Sequence, residues 1–469
     1  MKQLILLLDG TWNDADSGPR DSNIVRMRDI INRSLDQSSD LHSPDASPHA
    51  TSRLTSSRGF QGDGVEHLVF YERGVGTGAL CDVMGGGAFG DGLDDNIRRA
   101  YKFLSFHYAP GDLIFIFGFS RGAYTARSLA GYIHDAGLLK RDFCTPELED
   151  KAWTYYRAAT NDRLPGTWTE LAPYVADRSQ LTIECVGVFD TVGALGIPLK
   201  LFWRTNRQLY EFHDVELNPI VRINLQALAI DEHRAPFQAT PWRQMPFKHY
   251  KGHVEQVWFA GCHSDIGGSG IVEASRASRS PQALDDLALD WMLKRVKFLC
   301  PTFPLDLKRE NWKNVNSAWS LAPQHEARTW PWQILMFCHR AIANQPPKVS
   351  AWDYECSGNF DRHAVPLAEM VHVSVIERLG CEALADDDGD AYRPRNLMAV
   401  FDIICATYEL DHGMSQPKVD ILIVDWDGHS LAPRKDAERQ RAAELLLAAR
   451  QRLDRLDRQP RQDAADAAR

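Results

Sequence analysis

Apolar residues follow two rhythms along this chain. Runs at residues 4–8 (LILLL), 113–117 (LIFIF), 183–189 (IECVGVF, interrupted only by Glu184 and Gly187) and 257–260 (VWFA) are short enough for strands and apolar enough to be covered on both faces, which is how buried parallel strands read. Between them, residues 97–108 and 123–136 place apolar side chains three and four apart, predicting helices, with Gly137 as the stop signal of the second. Residues 220–230 read as a further helix, and Ser280-Pro281 form an N-cap and first-turn pair for a helix running to about Cys300. Strands alternating with helices predict an α/β fold with a mostly parallel sheet flanked by helices.

Elsewhere the rhythm fails. Residues 36–64 are rich in Ser, Asp, His and Gly and show no period, so they are expected to be a flexible surface insertion. From about residue 301, Trp312, Trp319, Trp330 and Trp332 sit among prolines and polar residues, followed by helical patterns at 367–379 and 397–408. These features predict a core at 1–300, and a cap or second lobe at 301–430 that returns one strand (418–426, KVDILIVDW) to the core. Residues 431–469 then form a charged helix and polar tail. No repeat of 20 to 50 residues is evident.

Composition narrows the function classes. With 44% hydrophobic and 25% charged residues in 469, the chain has ample material for a core. A formal charge of −10, with no standout basic patch, argues against nucleic acid as a partner. Nine cysteines without paired short spacings fit reduced thiols better than a disulfide framework or a zinc site. The opening apolar run ends at Asp9, short of a signal-peptide core, and no run approaches 18 residues. A protein made in the cytoplasm, with no membrane span, is expected.

The sharpest chemical signal is Gly118-Phe119-Ser120-Arg121-Gly122, set between a strand run and a helical pattern. That context is a nucleophile elbow: the serine occupies a strained turn and flanking glycines avoid collisions with neighbouring backbone. It makes an α/β-hydrolase-type core the expected architecture. The alternative is a chance match in which Ser120 merely caps the helix. The N–H of Arg121, at the helix N-terminus, is the expected oxyanion donor, with Gly10 or Thr11 after the first strand as the second. An ordinary strand-exit turn remains the competing reading for that pair.

Such hydrolases order their triad as serine, acid, histidine, each partner at the end of a later strand. Asp190 ends the run at 183–189, and His263 follows the run at 257–260. His263 is the expected base and Asp190 the acid that orients it, set against local capping and loop hydrogen bonding as the bland readings. His233, in Asp231-Glu232-His233-Arg234, and His372 are rival bases, and Asp265 is the rival acid. Gly74-Val75-Gly76-Thr77-Gly78-Ala79 matches a dinucleotide fingerprint formally but lacks the helix start the pyrophosphate requires. A mobile loop beside the site is the better reading, and neither cofactor nor metal is expected.

Taken as an ordered set, six pieces resemble the catalytic domain of a bacterial family that includes type VI secretion phospholipase effectors. They are residues 7–13 (LLDGTWN), 74–78, 96–101 (NIRRAY), 118–124 (GFSRGAY), 189–193 (FDTVG) and 258–268 (WFAGCHSDIGG), with a weaker echo at 371–378. The resemblance implies an α/β-hydrolase core, a triad of Ser120, Asp190 and His263, and metal-free phospholipase A-type ester hydrolysis. As an effector, the chain would meet a membrane surface, a secretion spike protein and an immunity protein. A carboxylesterase for small soluble esters, and a non-catalytic protein on the same fold, are the alternatives. Fold and triad are shared by many esterases and do not choose the substrate.

Overall fold

The computed structural model describes residues 1–10, 21–41, 54–60, 64–74, 88–158, 163, 165–192, 217–234, 237–244, 250–268, 283–307, 315–325, 338–345, 365–381, 391–410 and 419–467. The chain divides into two compact units, residues 1–226, 240–254 and 296–312 forming the first, and 227–239, 255–295 and 313–469 the second. The chain passes between the two units several times.

In the first unit, six strands lie side by side in the order β6-β5-β1-β4-β3-β2: β1 (Lys2–Leu8), β2 (Asp36–Leu41), β3 (Leu54–Phe60), β4 (Glu66–Glu72), β5 (Leu113–Phe119) and β6 (Ile183–Phe189). The ladders β4-β1-β5-β6 are parallel. Their side chains are buried almost throughout, as a sheet covered on both faces requires. Helices α1 (Asn23–Ser34), α2 (Ala88–His107) and α3 (Arg121–Ala136) supply the cover, followed in the chain by α4 (Pro146–Arg157) and α5 (Pro165–Leu171). The buried stripe of α2, Leu93, Ile97, Ala100, Tyr101 and Leu104, has the three-and-four spacing visible in the sequence. α3 ends at Gly137, whose φ of 74° is open to glycine at little cost.

The aperiodic segment at 36–64 departs from expectation, because β2 and β3 are antiparallel strands and β3 pairs with β4 along seven residues. The sequences of these two strands, DQSSDL and LTSSRGF, are mostly polar and so carry no hydrophobic period. Ladder hydrogen bonds and contacts such as Ser57 Oγ to Asn32 Oδ1 (2.8 Å) hold the hairpin instead.

Residues 220–230 are also corrected, from helix to the strand β7 (Val221–Ala229), which passes from the first unit into the second. Val221, Ile223, Leu225 and Ala227 alternate with a period of two, and the apolar run from Ala227 to Ile230 masks that alternation.

In the second unit most of β8 (His253–Phe259), with β9 (Glu369–His372) and β10 (Leu422–Val424), runs parallel in the order β10-β9-β8. The unit also contains the short α6 (His263–Gly267), most of α7 (Leu284–Leu299), α8 (Val373–Arg378), α9 (Arg395–Thr407) and α10 (Asp436–Ala467). Trp258, Val371, Ile376, Val400, Ile404, Ile423 and Leu446 belong to its core. The pattern at 367–379, read as helix throughout, begins as β9 and becomes helical only at Val373.

Cys144, Cys185, Cys262, Cys300, Cys381 and Cys405 carry thiols that join no disulfide. Among the described residues no helix is long and apolar enough to cross a membrane.

Candidate active site

Ser120 sits where β5 turns into α3, with φ 57° and ψ −120°, a conformation that costs a non-glycine residue about 1–3 kcal/mol. Neighbouring backbone enforces the turn. A Cβ on Gly118 would lie 2.6 Å from the carbonyl carbon of Gly122, and one on Gly122 would lie 2.5 Å from the Asp9 carbonyl oxygen. Real Cβ contacts are never that short, so both positions exclude every other residue. The Ser120 N–H donates to the Phe189 carbonyl (3.0 Å), and its carbonyl accepts from Tyr124 N (3.2 Å). Its hydroxyl makes no capping bond to α3, which removes the reading of Ser120 as a helix cap.

Asp190 occupies the adjacent strand exit, since Phe119 and Phe189 pair in register. It too has positive φ (41°) and is fully buried. Two non-glycine residues in left-handed backbone at neighbouring parallel strand ends are a sign of a site rather than of packing alone.

Next to them, Asp9 follows β1. Its carboxylate accepts from Gly10 N (2.7 Å), Ser22 Oγ (2.7 Å) and Tyr71 OH (2.8 Å). Asp9 was not picked out as a functional residue from the sequence, although an aspartate ending a fully buried strand was a visible signal. The Gly10 N–H, expected to face an oxyanion, is directed at Asp9 instead. Thr11 lies outside the described residues. Arg121 opens α3, which sets its N–H in the first turn of the helix, at the positive end of the helix dipole. Burial pulls its guanidinium down to about 10, still cationic at neutral pH.

The first unit thus brings Ser120, Arg121, Asp190 and Gly10 to the C-terminal ends of adjacent strands. His263 belongs to the second unit, beyond the end of β8. It is the first residue of α6 and is buried. Its backbone N–H donates to Glu232 Oε2 (3.2 Å), and its ring meets Phe237 edge-on at 5.2 Å.

The rivals resolve differently. His372 is the last residue of β9, not helical as expected, and its Nδ1 faces the Ser374 hydroxyl (2.8 Å). Its ring stacks on Phe259 at 4.8 Å, and burial drives its pKa down to about 3, the state of a packed neutral imidazole. Asp265 Oδ2 accepts from Cys262 N (3.0 Å) and His325 N (3.1 Å), and its Oδ1 pairs with His325 Nδ1. His233 meets His339 edge-on at 5.1 Å. Of the tryptophans, Trp319 donates to Asp286 (3.2 Å), and Trp312, Trp330 and Trp332 lie outside the described residues, as do residues 75–78 of the glycine-rich loop. Among the described residues no cluster of side chains could hold a metal ion.

Against known proteins, residues 2–295, more than half of the chain, match the family model described as "T6SS, Phospholipase effector Tle1-like, catalytic domain". The chain belongs to this family. Within the family's matched span lie the elbow, Asp190 and His263. An uncharacterized protein of Saccharomyces cerevisiae is 31% identical over 208 residues, covering 40% of this chain and 29% of that protein. The chain therefore spans under a third of that relative's length. Two solved structures are also similar. An uncharacterized protein from Pseudomonas aeruginosa (TM-score 0.38, 16% identity) covers 68% of this chain and 49% of its own. The Tle1 effector bound to the VgrG spike of the type 6 secretion system (TM-score 0.31, 19% identity) covers 57% and 51%.

Proposed function

We propose that this chain is a phospholipase of A type, cleaving acyl esters of phospholipids with Ser120 as nucleophile, His263 as general base and Asp190 as the acid that orients it. The observation that carries the reading is the elbow. Ser120 is held in left-handed backbone by two glycines that cannot be replaced, and its side chain is not used to cap the helix. In the proposed reaction His263 takes the hydroxyl proton as Ser120 attacks the acyl carbon. The imidazolium then protonates the departing lysophospholipid, and water repeats the sequence to free the fatty acid. The Arg121 N–H would donate to the oxyanion as negative charge gathers there.

Membership of an effector family supports a wider reading, in which the chain is delivered on a secretion spike protein and restrained in the producing cell by an immunity protein.

A fluorophosphonate probe should label the wild type and leave Ser120→Ala unlabelled. A folded wild type that also stays unlabelled would defeat the enzymatic reading. Turnover of phospholipid vesicles, compared with short-chain nitrophenyl esters, then tests the substrate class, and activity confined to the short esters would replace the phospholipase with a carboxylesterase.

A further inference from the structure

The run Asp231-Glu232-His233-Arg234 at the exit of β7 has no part in the reaction above, yet its carboxylates reach the loop that carries His263. Three consecutive backbone N–H groups in that loop each donate to a different buried carboxylate. Gly261 N reaches Asp231 Oδ2 (2.7 Å), Cys262 N reaches Asp265 Oδ2 (3.0 Å) and His263 N reaches Glu232 Oε2 (3.2 Å). Burying three carboxylates to fix three residues of main chain is costly unless each is well paired.

Glu232 is the best paired and bears directly on the histidine. It is fully buried, and its Oε1 accepts from Arg234 N (2.8 Å) and Nε (2.9 Å) while Oε2 accepts from Arg234 Nη2 (2.8 Å). Burial acts to raise its pKa, but the Arg234 hydrogen bonds and the charges of Arg234, Arg340 and His263 outweigh it and hold the carboxyl below its ordinary value. Arg234 lies 3.7 Å over the ring of Phe237, and Phe237 in turn presents itself at 69° to the His263 ring. Arg340, also buried, fixes the same segment through the Ala229 (2.9 Å) and Phe237 (2.5 Å) carbonyls.

We infer that Glu232, Arg234 and Phe237 form a positioning frame for His263, with Glu232 gripping its main chain and Phe237 setting the plane of its imidazole. The inference rests on His263 being the general base. A general base acts only from a narrow range of orientations, and small misplacements are costly in rate. The frame fixes both ends of the residue, backbone and ring, from one carboxylate. Glu232 and Arg234 touch no reacting atom and act through His263.

Steady-state kinetics on a short-chain nitrophenyl ester test this with Glu232→Gln, Phe237→Leu and His263→Ala, singly and combined. Glu232→Gln keeps an oxygen for the His263 N–H but loosens Arg234, and Phe237→Leu removes the ring contact with all charges in place. Each should lower kcat about 10-fold to 100-fold with KM changed less than about twofold, and neither should lower the residual rate of His263→Ala further. Wild-type kcat in both variants, or the same fractional loss on the His263→Ala background, would overturn the frame. If His263→Ala itself turns over at the wild-type rate, the base assignment fails first, and the frame with it. Should Glu232→Gln not fold, Phe237→Leu decides alone.

Discussion

The two loops that carry the proposed reaction are built on opposite principles. At Ser120 the chain is fixed by what backbone excludes: a positive φ, two glycines without room for a methyl group, and a strand register that sets Asp190 beside it. At His263 the chain is fixed by what buried acid groups attract, three carboxyls taking three successive N–H groups. Steric exclusion is local and insensitive to pH. Charge-assisted bonds span many residues and depend on the ionisation of their acceptors. A nucleophile needs an exposed lone pair at one point, which a strained turn supplies, whereas a base needs an oriented ring, which calls for support from several sides.

The hardest test of this contrast is the assignment of the base itself. His263→Ala should reduce hydrolysis by about 10²–10⁴-fold, measured on any ester the wild type turns over. His372→Ala should leave turnover largely intact, because that imidazole is packed against Phe259 and Trp426 and held neutral by burial. If the two variants behave the other way round, the base lies at the end of β9 and the carboxylate-bound loop is only scaffolding.

Gly122→Ala probes the steric side. Its new Cβ would meet the main chain of Leu8 and Asp9, and backbone does not swing aside as a side chain does. A loss of at least about 1–3 kcal/mol is expected, seen as a lower Tm, together with loss of fluorophosphonate labelling. Gly131→Ala offers a comparison in the same helix, since its Cβ would stand 3.4 Å from the Tyr156 ring. It should cost far less, and equal losses in the two would mean that helix packing, not the elbow, governs the effect.

How much of this was legible beforehand follows from the same division. The elbow could be read because its motif is confined to five residues, Gly118 to Gly122, next to an unbroken apolar strand, even though part of what enforces it, the main chain of Leu8 and Asp9, is distant in sequence. Asp190 and His263 could be nominated because strand exits are visible where strands are. Glu232 could not, since its partner is 31 residues away and nothing local distinguishes a buried acid from a solvated one. The strand at Val221–Ala229 was misread because Ala and Leu at its end fit helix as well as sheet, and only its neighbours decide. The hairpin at 36–60 was missed because it is held by main-chain ladders, which leave no mark in side-chain pattern.

The smallest effect isolates the charge side. Burial pushes the Asp231 carboxyl up to about 7, against the pull of the Gly261 N–H, the Tyr392 hydroxyl and the Arg378 charge, with Asp265 adding to the rise. A carboxyl with a raised folded pKa binds its proton more tightly in the native state. Its contribution is therefore fully present below about pH 4, where the unfolded form is also protonated, and is lost as pH climbs to about 7. Asp231→Asn removes that titration. Its stability relative to wild type should rise as pH climbs across this window, the amide's extra donor adding only an offset that does not vary with pH. Denaturant melts at pH 5 and pH 8 provide the check. A difference between variant and wild type that does not change with pH would mean that Asp231 is already ionised in the fold, and that its grip on Gly261 is an ordinary charged hydrogen bond.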